Sequence, residues 1–255
     1  MKKKTSILLI LLFATFACKD STTEPPIKNK SSDFFPNSDG NYYNYNVLVY
    51  DSSGIFVQSG TKKSLYNGDT IMFATPYQVK TDVFQLTGIQ TVHNTYFRKS
   101  SFGVFNWVEV DSNGFYYLIP DSLRGGYSFV NEYRILYDQP EVNQNWPVFK
   151  VNINLLYLEF EFFKVDAEVV SIDTITISFQ SKTLTTEVFK IEYDARLTTS
   201  LNEPPKLFEV QAWFAKGIGP VKWEGDSELM NFFTGAEIYP INASVLEELY
   251  SFKVN

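Results

Sequence analysis

Cys18 is the one cysteine of this 255-residue chain, and its surroundings decide what its thiol is for. Lys2, Lys3 and Lys4 make a positive start, Ile7 to Phe13 is almost wholly apolar, and the small residue Ala17 precedes the cysteine. This is the three-part layout of a bacterial export signal, and its apolar stretch is too short to span a bilayer stably. A lipoprotein signal peptidase would cut before Cys18 and leave it as a new N-terminus for acylation. Acyl chains contribute about 0.8 kcal/mol per buried methylene, so a multiply acylated Cys18, carrying chains of the palmitate class, would anchor the protein firmly. The lipoprotein box usually has Leu three residues before the cysteine, where this chain has Thr15. An ordinary signal peptidase accepting Thr15 and Ala17 would instead release a soluble protein with a free terminal thiol. Lipidation of Cys18 is the preferred reading, because a chain that otherwise uses no cysteine keeps one at this spot.

The remaining reactive residues point to no catalytic constellation. His93 is the single histidine, so any triad, imidazole-ligated zinc or histidine general base would have to use it, and no carboxylate or second ligand lies near it in sequence. The elbow motif of serine hydrolases, Gly-x-Ser-x-Gly, does not occur. Glu159 and Glu161 share one face of an expected strand, as do Asp166 and Glu168. Carboxylates at i and i+2 lie roughly 6.5–7 Å apart along a strand, within the range used for glycoside hydrolysis, but a solvated face of an acidic protein produces the same pairs. Gly217-Ile218-Gly219-Pro220 lacks the third glycine of a dinucleotide fingerprint and reads as a tight turn between two strands. Asp111-Ser112-Asn113-Gly114 and Asp39-Gly40-Asn41 carry oxygen ligands without completing a calcium loop, and read as turns of the Asx type. The expectation is no catalytic, cofactor-binding or metal-binding residue, with Cys18 as the one modified site.

The elements that would position these residues are strands. Phe, Tyr and Trp number 23, 16 and 4, an excess that favours strands and large buried areas. Tyr43, Tyr45, Val47 and Val49 alternate with Asn44, Asn46 and Leu48 before a turn at Asp51 to Gly54, and Ile55 to Tyr66 returns. Asn67-Gly68-Asp69 is expected as the next hairpin turn, since Asn-Gly tolerates positive φ. Further strands are expected over 70–74, 77–85, 91–98, 104–110, 115–119, 148–163, 165–172, 174–179, 185–193 and 208–214. Asn154 to Leu158 is apolar on both faces, the mark of a central, covered strand. The stretch 120–147 reads as a linker between two sub-structures or a long crossing loop. Helical signals are few: Ser244 and Glu247 form a possible capping box, so at most a short helical turn is expected there before a closing strand. The fold class is therefore all-β, an antiparallel sheet forming an open or half barrel, with a β-sandwich as the alternative.

Three segments follow: a signal peptide over 1–17, a polar tether over 18–33 with no apolar period to bury, and a β domain over 34–255. Removing the signal takes three of the 22 basic residues and none of the 29 acidic ones, moving the net charge from −7 to −10. Nucleic acid, which needs basic patches, is excluded as a partner, and anionic headgroups would be repelled, so membrane attachment must come from the lipid. With one cysteine there is no intramolecular disulfide, and stability rests on packing.

Phe34-Phe35-Pro36 followed by Gly40-Asn41-Tyr42-Tyr43-Asn44-Tyr45, together with Trp213-Phe214-Ala215-Lys216-Gly217-Ile218-Gly219-Pro220-Val221-Lys222, resembles the opening and closing segments of a group of uncharacterised bacterial envelope lipoproteins. The resemblance implies an antiparallel structure akin to the half-barrels of lipoprotein carriers, and brings no activity and no functional residues. The expected function is that of a membrane-anchored, non-enzymatic envelope lipoprotein, placed in the outer membrane, whose curved aromatic-rich sheet binds a lipid, a glycan or a partner protein. A glycan-active enzyme using Glu159 and Glu161, and a structural subunit of a surface complex, are the alternatives.

Overall fold

The structure, a computed structural model, describes residues 31–108, 127–155, 158–179, 182–200 and 202–255. Cys18, most of the tether, the Asp111–Gly114 turn and the strand expected over 115–119 lie outside the described residues. The strands are β1 (Tyr42–Asp51), β2 (Phe56–Met72), β3 (Thr75–Leu86), β4 (Ile89–Ser100), β5 (Gly103–Trp107), β6 (Tyr127–Phe129) and β7 (Glu132–Tyr137). They continue with β8 (Asn145–Leu155), β9 (Leu158–Phe179), β10 (Lys182–Leu197), β11 (Lys206–Ala215), β12 (Gly219–Asp226) and β13 (Ala243–Lys253). One helix, α1 (Ser227–Thr234), joins β12 to β13.

Among the described residues, 13 strands form one sheet in the order β6-β8-β9-β10-β11-β12-β13-β1-β2-β3-β4-β5-β7. Every neighbouring pair is antiparallel, from β1 against β13 and β2 to β8 against β9. The sheet is open, with β6 and β7 at its ends among the described residues, so the expected open barrel is found rather than two packed sheets. An exposed edge invites foreign strands. Here β7 is covered by side chains of the far end of the sheet: Trp146 Nε1 donates to Arg134 O (3.1 Å) and Tyr193 OH to Ile135 O (2.7 Å). The sheet therefore curls until its ends meet through side chains instead of a ladder.

The concave side holds the core. It is plugged at one end by the segment before β1, whose Phe34 ring lies 4.1 Å from that of Phe189 and whose Phe35 ring lies 5.1 Å from that of Phe97. Burial of these two rings draws in the residues ahead of them, so Ser31–Phe34 forms a 3-10 turn and Asp33 O accepts from Gly217 N at 2.7 Å. From the other end α1 enters the concavity. All its residues are buried, and Phe232 and Phe233 pack on Tyr133, Phe149, Phe163, Tyr193 and Trp223. At eight residues α1 is too short for its period to stand out in the sequence, and its polar stripe of Ser227, Glu228, Asn231 and Thr234 is itself buried, which is why the sequence reading overlooks it. It stops at Gly235, whose φ of 75° suits a left-handed C-cap and whose N–H bonds to Asn231 O and Phe232 O.

Several expected boundaries are corrected. Ser244 begins no helical turn, because Ala243–Lys253 is strand throughout. Asn67-Gly68 is not a hairpin turn: the β2–β3 register shifts between Tyr66 and Asp69, so it forms a bulge, and the chain reverses at Phe73 and Ala74, both at positive φ. Asn154 to Leu158 is not a central strand but the place where β8 gives way to β9, with Leu155 paired to Leu158 and Asn154 exposed. The strands expected over 165–172 and 174–179 are one continuous β9. The stretch 120–147 contributes β6, paired to β8, and β7, paired to β5.

Candidate functional site: a buried charge cluster inside the sheet

Alternation along β2 sends Lys62, Ser64 and Tyr66 into the concavity, and along β3 it sends in Lys80, Asp82 and Phe84. Cross-strand register then lines them up. Tyr45 faces Lys62 and Lys62 faces Phe84; Ser64 faces Asp82 and Asp82 faces His93; Tyr66 faces Lys80 and Lys80 faces Thr95. From β13, Glu247 completes the group. Lys62 is 7% exposed, and Asp82 and Glu247 are 0% exposed.

The charges are paired. Lys62 Nζ donates to Glu247 Oε2 at 2.8 Å, and Tyr239 OH donates to Glu247 Oε1 at 2.5 Å. Lys80 Nζ lies 3.0 Å from Asp82 Oδ2. Ser64 and Lys80 face the Asp82 carboxylate as its donors, and among the described residues the buried Thr95 hydroxyl has no hydrogen-bond partner. The ammonium of Lys62 stands 5.4 Å from the ring centres of Tyr45 and Phe84, and that of Lys80 stands 5.1 Å from Phe97. Each ring face is a weak attractor for a cation.

Burial opposes every charge here, and neighbours decide which way each group moves. For Lys62 burial is outweighed by Glu247 and Asp82, so its ammonium is held above the usual lysine value. Burial would raise Asp82, but Lys80 and Lys62 together pull its carboxyl below the usual range. For Lys80 burial wins over the attraction of Asp82, and repulsion from Lys62 adds to it, so Lys80 titrates below an ordinary lysine. Tyr45, Tyr66 and Tyr239 are pushed well up, mainly by burial, and stay neutral.

Between this cluster, the Phe35 plug and α1 lies a cavity of about 40 Å³, lined on one side by Lys62, Lys80 and Glu247 and on the other by Met230 and Phe233. A water molecule needs on the order of 10–15 Å³ of such space. The cavity thus has room for a few small polar groups beside a wall of aromatic rings. Chemically it offers paired ammonium and carboxylate groups in surroundings that exclude bulk water, where each interaction is stronger than at the surface.

The sequence-derived candidates lie elsewhere. Glu159 and Glu161 are on β9 outside this cluster: Glu159 accepts from Asn152 Nδ2 at 2.6 Å, and Glu161 pairs with Lys150 at 3.2 Å and Arg196 at 3.9 Å. Asp166 pairs with Lys164 at 2.6 Å. His93 is half-buried opposite Asp82, a carboxylate neighbour that linear sequence conceals. Gly235 approaches His93 so closely that an added Cβ would lie 2.8 Å from Nε2. Gly217 and Gly219, at φ of 73° and 107°, form the expected β11–β12 turn. At the Asp39–Asn41 turn, Asn41 Oδ1 accepts from Asn255 N at 2.9 Å, tying the two ends of the domain together. A further carboxylate group, Glu192, Asp194 and Glu209, has ligand oxygens within 4.8 Å of one another on β10 and β11. Burial and mutual repulsion raise Glu192 and Asp194 above ordinary carboxylates.

Sequence reasoning missed Lys62, Lys80, Asp82 and Glu247. A usable signal was present: β2 is polar on both faces from Gln58 to Ser64, so one polar face had to point inward.

No protein-family model matches the chain, and no curated protein matches it. Two solved structures overlap 86% of it at low identity. One is a candidate lipoprotein from Parabacteroides distasonis, with 12% identity, 98% of its own chain covered and a TM-score of 0.46. The other is a candidate exported protein of YmcC-like fold from Bacteroides fragilis, with 13% identity, 98% of its chain covered and a TM-score of 0.43. Neither carries a functional residue across to this chain.

Proposed function

We propose that this is an exported envelope lipoprotein, anchored in the outer membrane through acylated Cys18, whose curved aromatic-rich sheet binds a hydrophobic or polymeric ligand or a partner protein, seating one small polar group of it in the interior cavity. The observation that carries the binding role is the cavity between the Phe35 plug and α1, where a charge cluster sits among aromatic rings. Buried ammonium and carboxylate pairs often stabilise a fold no better than an apolar filling would, so a shell serving only as a spacer has little use for them. The anchor is supported by the signal layout around Lys2–Lys4, Ile7–Phe13 and Ala17.

Native mass spectrometry of the protein purified from membranes, beside a Cys18→Ala chain, tests both parts. The expected result is an acyl mass on Cys18 and a co-purifying lipid or glycan that is lost when Met230→Phe fills the cavity. An unmodified Cys18 sinks the anchor, and a cavity that is empty in both chains sinks the binding role.

A further inference from the structure

The domain carries large apolar side chains in the open, and the point at which the chain enters the fold selects among them. Asp33 O is held by Gly217 N in the β11–β12 turn, and the Asp33 carboxylate acts electrostatically on Lys99, at the end of β4. Immediately after Lys99 the β4–β5 turn puts out Phe102, 69% exposed. On the neighbouring hairpin, β3 pairs with β4 as far as Gln78 and Phe97, and beyond that pair both strands run on in the same direction. The turn ending that hairpin carries Phe73, 87% exposed, with Ile71 at 75% beside it. Phe73 sits on a turn whose two central residues, Phe73 and Ala74, adopt positive φ at 47° and 64°, and its ring leans on that of Trp107 at 5.4 Å between centroids while keeping most of its surface exposed. That conformation is costly for side chains of this kind, so the ring is presented against a local penalty.

Exposed apolar residues also occur at the opposite end of the strands, among them Ile55, Phe56, Ile89 and Ile241. Chain length separates the two ends. Cys18 precedes Asp33 by 15 residues, which span at most about 50 Å when fully extended and about 20 Å on average. The 10 residues of β1 alone separate the two ends by roughly 33 Å. A bilayer holding acylated Cys18 is therefore far more accessible to the end bearing Phe102 and Phe73 than to the other.

We infer that the Phe73 and Phe102 hairpin turns rest on the anchoring bilayer and orient the domain on it, leaving the Ile55–Ile89 end facing away. The inference rests on the acylated anchor proposed above. The contact is apolar, because the domain is too acidic to be drawn to anionic headgroups. Moving these rings out of water biases the orientation on the order of a hundredfold once the tether has supplied the proximity, whereas the same rings alone would hold a free protein only weakly.

The test uses the full acylated protein in zwitterionic phosphatidylcholine–phosphatidylethanolamine vesicles. Acylation consumes the Cys18 thiol, so a single introduced thiol takes an environment-sensitive fluorophore, at Ser101→Cys in the β4–β5 turn or at Ser53→Cys in the β1–β2 turn. Nitroxide lipids should quench the label at position 101 at least threefold more than that at 53. Adding Phe73→Ser and Phe102→Ser should abolish the difference while the acyl mass remains. Equal quenching at both positions, or a difference that survives loss of both rings, overturns the inference on an acylated protein. Absence of the acyl mass overturns the anchor itself, and the orientation falls with it.

Discussion

Replacing Lys62 by Met removes one charge from the concavity while keeping nearly the same length of apolar stem. Its partner Glu247 is 0% exposed and receives the ammonium at 2.8 Å, with Tyr239 OH as its other donor. Once Lys62 is gone, a carboxylate stays buried with a neutral hydroxyl and the nearby Asp82 charge. Breaking a buried ion pair from one side costs about 3–5 kcal/mol, because the remaining charge has lost its water and its counter-ion together. For a domain of this size each kcal/mol lowers Tm by roughly 2–4 °C, so Lys62→Met should melt about 6–20 °C below the parent. Urea denaturation followed by tryptophan fluorescence gives the free energy directly. The double variant Lys62→Met with Glu247→Gln should recover a large part of the loss, with a coupling of about 0.5–3 kcal/mol. The pH dependence of the parent follows from the same cluster. Asp82, held below the usual carboxylate value, contributes stability above its unfolded value that is lost as pH falls through the folded one. Lys62, held above the usual value, contributes below its unfolded value and loses that as pH rises through the folded one. Lys80 runs the other way: its depressed value makes its charge a cost that is relieved in alkali. A loss below about 1 kcal/mol for Lys62→Met, with no coupling to Glu247, would refute the view that the pair is desolvated and mutually dependent.

Phe233→Ala should cost about 3–5 kcal/mol in denaturant unfolding, since it empties a place ringed by Tyr193, Trp223 and Phe232 at centroid distances of 4.7, 5.3 and 5.2 Å. Gly60→Ala should destabilise by about 1–3 kcal/mol, because an added Cβ would run into Gln85 O and the Leu86 side chain across the β2–β3 pair. Exchanging Phe73-Ala74 for Asn-Gly should raise stability by about 1 kcal/mol by placing residues that accept positive φ in the turn; an unchanged Tm would show the turn to be unstrained. Asp194→Asn should stabilise at pH 7 and narrow the gain seen on mild acidification. The reason is that Asp194 and Glu192 bind protons more readily in the folded state, so their contribution to stability rises as pH falls towards their unfolded values. A thermal-shift series from pH 8 down to about 4, towards the ordinary values of these carboxyls, reads both effects.

Period-two alternation and turn residues made the all-β class legible from sequence, because a strand's two faces are written into neighbouring positions. The same logic placed Tyr43, Tyr45, Val47 and Val49 on one buried face, where the structure has them. The β11–β12 turn at Gly217 and Gly219 was equally local, set by the positive φ that glycine supplies. Boundaries failed where two local signals competed. Asn67-Gly68 has the composition of a hairpin turn, yet cross-strand pairing of Asp69 to Met72 with Thr75 to Gln78 carries the strand past it.

Which face of β2 and β3 points inward is a different kind of fact. Lys62 and Lys80 have the chemistry of solvated residues, and only a curled sheet closed over by Phe35 and α1 removes them from water. Glu247 lies 185 positions from Lys62 along the chain, so their pairing exists only once β13, β1 and β2 are side by side. The opposition of His93 and Asp82, and the burial of an eight-residue helix together with its polar face, have the same origin. Sequence alone determined the strand-forming character and the expected fate of Cys18, because both depend on neighbours a few residues apart. Tertiary structure decided the charge cluster and the exposed rings at the tether end, because both depend on which distant strands share a sheet and where the chain enters it.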